Sequence, residues 1–325
     1  MADHQSILHA LKFNGDGSAA VLEACDLPGM IKSDELAWVH LDARSREARE
    51  WLETQINYLD SLIVDALLAE ETRPRMIEYE NGMLLILRGM NFNVNAEPED
   101  MVSIRLWIDP SRIISVQRRP VKAVEDIAAL LEKGTGPKTS GDFLTLLTYL
   151  LFERMEPVLD DLDERTDTLE QEIIDSPEAE ERQLIIELRK EAIIYKRYLL
   201  PQRDVLLGLR SSPLPWIQPL HKRQLQETLD RVIRYVEDLD SLRERTQIIK
   251  DELVNMLSDR MNHNMYLLSV IAAIFLPLHF MTGLLGMNVA GIPGAQSPWA
   301  FWIFLVIVGA VVALQIVLFK KMKWF

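Results

Sequence analysis

Two apolar runs decide the fold of this chain: YLLSVIAAIFLPLHFMTGLL at residues 266–285 and WAFWIFLVIVGAVVALQIVLF at residues 299–319. They contain 20 and 21 residues, and neither contains Asp, Glu, Lys or Arg. Because a helix rises about 1.5 Å per residue, about 20 residues cross the roughly 30 Å hydrocarbon core of a bilayer. We therefore predict two transmembrane helices, joined by the uncharged loop GMNVAGIPGAQSP at residues 286–298.

Basic residues flank this pair of runs and predict its topology. Arg260 precedes the first run, and Lys320, Lys321 and Lys323 lie in the basic tail 320–325. Since Lys and Arg are preferentially retained on the cytoplasmic side, both termini are predicted to be cytoplasmic and the loop 286–298 to lie outside. No charged n-region followed by an apolar run opens the chain, so we expect no cleaved secretory signal.

The remainder of the chain is strongly acidic. All 49 acidic residues lie at or before Asp259, and 32 of the 35 basic residues lie in the first 260 positions, which gives that part a formal charge of −17. Such a body argues against a nucleic-acid partner and attracts cations, although solubility alone also explains it. The single cysteine, Cys25, excludes an internal disulfide and a Cys-rich zinc site.

Residues 1–140 show the mixed pattern of an α+β domain. Alternating or short apolar runs predict strands at Ile7–Phe13, Ala37–Leu41, Met83–Met90, Ser103–Ile108 and Ile113–Val116. Helical spacing predicts helices at Ser45–Ile56, Leu59–Ala69 and Pro120–Leu131, the last with Pro in its first turn. After the turn-rich stretch 134–141, two long helices, Asp142–Asp175 and Pro177–Leu209, are predicted to form a charged hairpin over residues 141–219.

One very long helix is expected to follow. No Gly or Pro occurs between Pro219 and Pro277, and apolar residues recur every three or four positions from Leu225 to Met256, as in a coiled coil. We predict one helix from about Leu220 to Leu285, 66 residues long, in which residues 220–265 form a cytoplasmic stalk. Its apolar stripe needs partners, so an oligomer is expected.

The most specific motif is Gly286-Met287-Asn288 at the end of the first run. It follows IFLPL at residues 274–278 by twelve positions, and the tail KKMKWF closes the chain. Together these features resemble the CorA family of divalent-cation transporters. The continuation VAGIPG at residues 289–294 looks like the ZntB-like zinc branch of that family, whereas magnesium-type members usually carry an acidic residue in this loop.

The resemblance implies a homopentameric funnel in the bacterial inner membrane, with the first transmembrane helix of each subunit lining a central pore. It also implies a selectivity filter of Gly286, Met287 and Asn288, in which Asn288 side chains form a ring at the outer mouth. An amide oxygen accepts hydrogen bonds from the water shell of a cation without the tight binding of a carboxylate. Alternatively, Asn288 is only a left-handed helix cap.

Heptad steps carry the stalk stripe into the membrane. They pass through Asp251, Ser258, Met265, Ala272, His279 and Gly286, interleaved with Leu268, Leu276 and Gly283. Small and polar residues on one face suit a pore, and they also suit close helix packing. With the resemblance, we predict that Met265, Leu268, Ala272, Leu276, His279 and Gly283 line the pore, and that the three large apolar residues among them gate it by excluding water.

His279 is the most unusual of these positions, because an ionisable side chain inside a span is costly and usually faces a cavity or a partner. Imidazole suits Zn²⁺ better than Mg²⁺, and it exchanges a proton near neutral pH, so that a proton could compete with the metal. The family more often has a hydroxyl residue here. His279 is therefore a candidate metal-binding residue, or else a neutral side chain bonded to a backbone carbonyl that Pro277 leaves free.

Other charged residues are weaker candidates for a role in cation binding. Asp251 and Asp259 are predicted to attract cations at the cytoplasmic end of the pore helix, although a solvated helix face explains them too. Solvation is also the better interpretation of the acidic run at residues 160–164. The remaining histidines, His4, His9, His40, His221 and His263, lack the spacing of a metal site.

We therefore predict an α+β cytoplasmic domain, a long helical stalk and two transmembrane helices, in a transporter of divalent cations that prefers Zn²⁺ and needs no cofactor. A CorA-type Mg²⁺ channel that also passes Co²⁺ or Ni²⁺ is the first alternative. A membrane-anchored sensor or scaffold, for which Asn288 would be dispensable, is the second. An enzyme is the weakest, because there is no Gly-rich nucleotide loop or nucleophile elbow. The sequence leaves the direction of transport and any proton coupling open.

Overall fold

The computed structural model describes residues 6–23, 34–55, 59–70, 72–175, 180–287, 292, 294 and 297–321. The chain divides into two compact units, Met1–Lys250 and Asp251–Phe325. Several residues named above lie outside the described part of the chain: His4, Cys25, Asn288 and the tail residues 322–325.

A seven-stranded sheet is the centre of the first unit. Its strands are β1 (Ile7–Phe13), β2 (Ala19–Val21), β3 (Ala37–Asp42), β4 (Arg75–Glu78), β5 (Met83–Gly89), β6 (Val102–Ile108) and β7 (Arg112–Gln117). They lie in the order β2-β1-β3-β7-β6-β5-β4. Only β3 and β7 pair in parallel, and the other neighbours are antiparallel. Every residue of β3 is buried, so both faces of the sheet are covered at this strand.

Helices cover the two faces. They are α1 (Arg46–Gln55), α2 (Ser61–Leu68), α3 (Lys122–Glu132) and α4 (Ser140–Glu153). On one face Val39 packs in a cluster with Leu52 of α1 and Leu67 of α2. Its neighbour Trp38 points to the other face, since successive side chains of a strand alternate, and meets Phe143 of α4 edge-on at 5.0 Å between ring centroids.

Three long helices follow: α5 (Glu156–Asp175), α6 (Glu181–Ser211) and α7 (Pro219–Leu285). Ion pairs join them within the first unit. Arg245 of α7 binds carboxylates of α5, at 3.1 Å for Asp163 and 2.7 Å for Glu170, and Lys196 of α6 pairs with Asp240 of α7. The predicted single long helix is confirmed, with 67 residues and Pro277 inside it.

The prediction of one helix over Asp142–Asp175 is wrong. The chain forms α4 and α5 there, separated by a turn at Arg154-Met155. Pro157 has no N–H to donate to the carbonyl of Glu153, and in a continuous helix its ring would clash with that carbonyl. Met155 is fully buried at the turn, so packing stabilises the break.

Two further differences concern element ends and edges. Val121 is the N-cap of α3, so Pro120 precedes the helix rather than occupying its first turn. The sequence patterns did not predict β2 and β4, which have three and four residues and are the edge strands of the sheet. The predicted helix start at residues 176–177 lies outside the described part of the chain.

The second unit contains the C-terminal part of α7 and α8 (Ala300–Lys321), and both are long and apolar enough to cross a membrane. In the most apolar 18-residue stretch of each helix, 6% of α7 is buried and none of α8 is buried. A core helix of a soluble protein would be covered, so these helices fit lipid surroundings. The predicted fold class, an α+β domain followed by a long helix and two membrane helices, is confirmed.

Candidate functional site

The predicted pore residues lie on one side of α7. At 100° per residue, Met265, Leu268, Ala272, Leu276, His279 and Gly283 fall within an arc of about 80°. All six are exposed in the single chain. Leu268 is 66% exposed and Leu276 is 71% exposed. This side of the helix is therefore free to meet other copies of the chain, lipid or an aqueous path.

A different side of α7 contacts the second membrane helix. Nε2 of Gln315 in α8 donates to the carbonyl oxygen of Ala273 at 3.1 Å. Pro277, four residues further along, has no N–H to donate to that carbonyl. Gln315 thus satisfies an acceptor that the helix leaves free. The bond fixes which side of α7 the second helix covers, and it leaves the six predicted pore residues on the uncovered side.

Sequence reasoning missed Gln315, although two features point to it. It is the single amide side chain in the second apolar run, and Pro277 in the first run implies a carbonyl in need of a donor. One sequence hypothesis gave that donor role to His279, whereas the donor in the described part of the chain is Gln315. His279 is exposed on the uncovered side, and its backbone carbonyl accepts from Thr282 Oγ1 at 3.0 Å.

The motif that follows α7 begins at a position that requires glycine. The N–H of Gly286 donates to the carbonyl of Thr282 at 2.9 Å. A Cβ at Gly286 would also lie 2.9 Å from that oxygen, closer than side-chain carbons approach backbone atoms. Met287 is 50% exposed. Asn288 lies outside the described residues, so its position in a ring and its alternative role as a cap stay predictions.

The acidic residues do not form a metal centre in the described part of the chain. Within it, no three His, Cys, Asp or Glu side chains are close enough together to hold a metal ion. Asp251 and Asp259 are exposed on α7. In the run 160–164, Asp161 pairs with Arg165 at 3.5 Å and Asp163 pairs with Arg245, so part of this run joins helices instead of only contacting solvent.

Histidines of the first unit have structural partners. Nδ1 of His40 lies 2.7 Å from Ser115 Oγ, and burial lowers the pKa of His40 to about 4. His9 stacks on His40 at 5.9 Å, and burial lowers its pKa as well. These contacts explain the two side chains without a metal ion.

His221 connects the start of α7 to α4. Its Nδ1 accepts the backbone N–H of Gln218 at 3.1 Å, so the ring proton lies on Nε2, which donates to Asp142 at 3.0 Å. Burial opposes ionisation of Asp142, but hydrogen bonds from Thr139 and His221 outweigh it and lower the pKa of the carboxyl group. The contact is a helix-to-helix anchor.

Proteins with similar sequences share this organisation. A family model described as CorA-like Mg²⁺ transporter protein matches residues 33–321. The chain is 34% identical over 321 residues to the zinc transport protein ZntB of Pectobacterium atrosepticum, with 99% of this chain and 97% of that protein covered. It is also 34% identical over 326 residues to the divalent cation transporter CmaX of Pseudomonas aeruginosa, with 99% and 98% covered.

Solved structures extend the likeness to the whole fold. The full-length CmaX structure superposes with a TM-score of 0.85 at 34% identity and covers 99% of both chains. The CorA magnesium transporter of Methanocaldococcus jannaschii superposes with a TM-score of 0.80 over 98% of this chain and 99% of that one, and at 20% identity it shows a shared fold. With the family model matched over most of its length and full-length relatives at 34% identity, this chain belongs to the CorA family of divalent-cation transporters.

Proposed function

We propose that this protein moves divalent metal cations through a pore lined by α7 and that it prefers Zn²⁺. The observation that supports this most is the uncovered side of α7, which lies away from the Gln315 contact and leads to Gly286. That side presents Ala272, His279 and Gly283 between large apolar residues. An ionisable side chain facing lipid would be costly, so a water-containing path suits His279 better.

The same face argues for a homopentamer. Two membrane helices of one chain cannot enclose a path, so the uncovered sides of several copies must meet around an axis. Membership of the CorA family supports five copies in the form of a funnel. Met265, Leu268 and Leu276 would then form apolar rings around the axis, which close the path by excluding water.

At the outer end, a hydrated cation meets the ring of Asn288 side chains. Their amide oxygens accept hydrogen bonds from the water shell of the ion and hold it weakly enough for release. Gly286 and Met287 shape the turn that presents Asn288. At the cytoplasmic end, Asp251 and Asp259 raise the local concentration of cations through their charge.

Three features support Zn²⁺ as the preferred ion. Imidazole nitrogen, supplied by His279, binds Zn²⁺ better than Mg²⁺, which prefers oxygen ligands and keeps its waters. The loop 286–298 contains no acidic residue. A relative of nearly the same length is named a zinc transport protein. The second candidate is a Mg²⁺ channel that also passes Co²⁺ or Ni²⁺, which the description of the matching family model favours.

We also propose that the protein lies in a bacterial inner membrane with both termini in the cytoplasm. Arg260 before the first span and Lys320 and Lys321 after the second support this orientation, because cytoplasmic flanks retain basic residues. The loop 286–298 and the aromatic residues Trp299 and Trp302 would then lie on the outer side.

The proposal is tested by uptake into proteoliposomes that contain the purified full-length protein. Zn²⁺ and Mg²⁺ fluxes are compared for wild type, Asn288→Ala and His279→Ala, each with and without an imposed proton gradient. We expect Zn²⁺ flux that exceeds Mg²⁺ flux and changes in both variants. A response of the flux to the gradient would add proton coupling.

Matched controls separate a pore role from general damage. His263→Ala removes an exposed imidazole from the same helix at a position about 160° around the helix from His279, and Asn255→Ala removes an exposed amide from its cytoplasmic part. Both should leave the flux unchanged. Mg²⁺ flux above Zn²⁺ flux would favour the magnesium channel. Flux of neither ion through intact oligomers would refute transport and favour a sensor or scaffold.

A further inference from the structure

A cavity of about 920 Å³ in the first unit has the opposite charge from its surroundings. Among the described residues that line it, seven are arginines and three are acidic, which leaves a formal excess of four positive charges. The first 260 residues together carry −17. Because positive charge is concentrated here against that background, the cavity attracts anions rather than the cations that the membrane part is proposed to carry.

Arg105 is the central residue of this cavity. Its side chain is 1% exposed, and its Nη2 donates to the carbonyl of Glu70 at 3.2 Å. Its Nε and Nη1 have no hydrogen-bond partner among the described residues. Leaving donors of a buried cation unsatisfied costs free energy, which a bound acceptor would recover. Burial, followed by the charges of Arg118 and Arg88, lowers the pKa of Arg105 to about 10, so it stays charged at neutral pH.

Two other residues of the lining also contain a buried donor. Nε of Arg118 and Oγ1 of Thr72 have no hydrogen-bond partner within the described part of the chain. Arg118 is oriented by an ion pair between its Nη2 and Glu70 at 3.2 Å. Among the described residues, four buried donor atoms on three side chains of the lining thus lack an acceptor, next to a cavity large enough to hold one.

Strand register brings these residues together. Arg105 of β6 lies opposite Val116 of β7, and Arg118 follows Val116 by two positions, so that the alternation of side chains sends both arginines to the same face. Arg88 of β5 forms part of the wall. It donates to the carbonyls of Thr72 and Met101, and its guanidinium lies 4.4 Å from the centre of the Tyr198 ring.

We propose that this cavity binds a polyphosphate anion, either a nucleoside di- or triphosphate or inorganic polyphosphate. The planar guanidinium fork matches pairs of phosphate oxygens, and the lining residues that the structure describes include arginines and no lysine. A singly charged anion would leave most of the positive excess uncompensated. The volume lies within the range of about 300–1,000 Å³ that is typical of small-ligand sites.

Binding is tested by isothermal titration calorimetry of the purified full-length protein in detergent. Divalent cations are removed with EDTA, so that chelation by the phosphate ligand contributes no heat. The probes are sodium tripolyphosphate, ATP and sodium sulfate. We expect one polyphosphate per chain with a Kd at least about tenfold below that for sulfate. Tripolyphosphate as tight as ATP identifies an inorganic ligand, whereas tighter ATP identifies a nucleotide.

Substitutions locate the site. Arg105→Met removes the buried donors, and Arg73→Gln combined with Arg119→Gln removes two exposed cavity charges with less risk to folding. The matched control is Arg182→Gln combined with Arg223→Gln, which removes the same charge from exposed positions on α6 and α7. We expect at least about tenfold weaker binding in both cavity variants and no change in the control.

Three results would overturn the proposal: no heat with either polyphosphate, equal weakening in the cavity double variant and its control, or unchanged binding in both cavity variants. None of these measurements involves ion flux. Failure of this proposal is therefore distinct from failure of the proposed transport function.

Discussion

The imidazole of His221 occupies the space into which a side chain at residue 141 would project, and this predicts strong coupling between the two positions. A Cβ added to Gly141 would lie 2.1 Å from Cε1 and 2.2 Å from Nδ1 of the ring. The ring cannot move away without losing its bond to Asp142 at 3.0 Å and the bond from Gln218 at 3.1 Å. Gly141→Ala must therefore overlap with the ring or break this anchor between α4 and α7.

The expected magnitudes follow from these contacts. Overpacking costs about 1–3 kcal/mol and the two hydrogen bonds about 0.5–1.5 kcal/mol each, against a gain of at most about 1 kcal/mol for Ala over Gly in a helix. We expect Gly141→Ala to lower the free energy of unfolding by about 2 kcal/mol, and His221→Ala by about 2–3 kcal/mol. In the double variant the new Cβ enters the vacated space, so the double variant should cost no more than His221→Ala alone.

The assay is urea unfolding of the purified full-length protein in detergent, followed by tryptophan emission. Trp38 is a local probe because it contacts Phe143, two residues after Gly141. Gly208→Ala is the matched control, since its added Cβ meets only the flexible end of Met76. The loss of unfolding free energy in the double variant is compared with the sum of the losses in Gly141→Ala and His221→Ala. If the two agree to within about 0.5 kcal/mol, the ring does not occupy this space and the reasoning fails.

Three other predictions concern the membrane helices, the stalk and pH. Gln315→Leu removes the donor to the Ala273 carbonyl and should lower the stability of the membrane part by about 0.6–2 kcal/mol. The measurement is the thermal unfolding midpoint in detergent, which should fall. An unchanged midpoint would contradict the role of this bond. Arg245→Gln removes the partner of three carboxylates of α5. It should lower the free energy of unfolding, measured with urea, by about 1–2 kcal/mol in low salt and by less in 1 M NaCl. Equal decreases at both salt concentrations would argue against an ionic cause. The pKa of His40 is about 4 in the folded chain and 6.5 in the unfolded chain. Between these pH values only the unfolded chain binds the proton, so the free energy of unfolding falls as the pH falls, by about 2 kcal/mol at pH 5. The loss is measured as the difference in urea midpoint between pH 7 and pH 5, and the same difference in His40→Gln would refute the assignment.

Most of the fold follows from local sequence patterns. Strand β1 begins and ends where the alternation of apolar residues predicts, and α7 has no Gly or Pro between Pro219 and Pro277 to interrupt it. The edge strands β2 and β4 are too short to show a period, and only their pairing partners define them. The break before α5 was missed because the apolar spacing continues across Pro157, whereas its missing N–H ends the helix.

The two sites differ in how much the sequence reveals. The predicted pore face follows from heptad steps along one helix together with the family resemblance, so the residues from Met265 to Gly283 could be proposed from the sequence. The arginine cavity combines residues from Arg44 to Arg197, and each looks like an ordinary surface charge in its own segment. Three of them, Arg88, Arg105 and Arg118, come together only because β5, β6 and β7 pair. Long-range register is the information that local patterns lack.

The Ala273 carbonyl explains why one particular side of α7 is left uncovered by α8. Within hydrocarbon an unsatisfied carbonyl costs several kcal/mol, and Pro277 creates one at this position. Gln315 can satisfy it only while α8 packs on the side of α7 that carries Ala273. Turning α7 by half a turn against α8 would break that bond and move His279 from the uncovered side into the contact between the helices. A proline in one span and an amide in the other therefore specify together which side of α7 stays uncovered, and that side carries the residues proposed to line the pore.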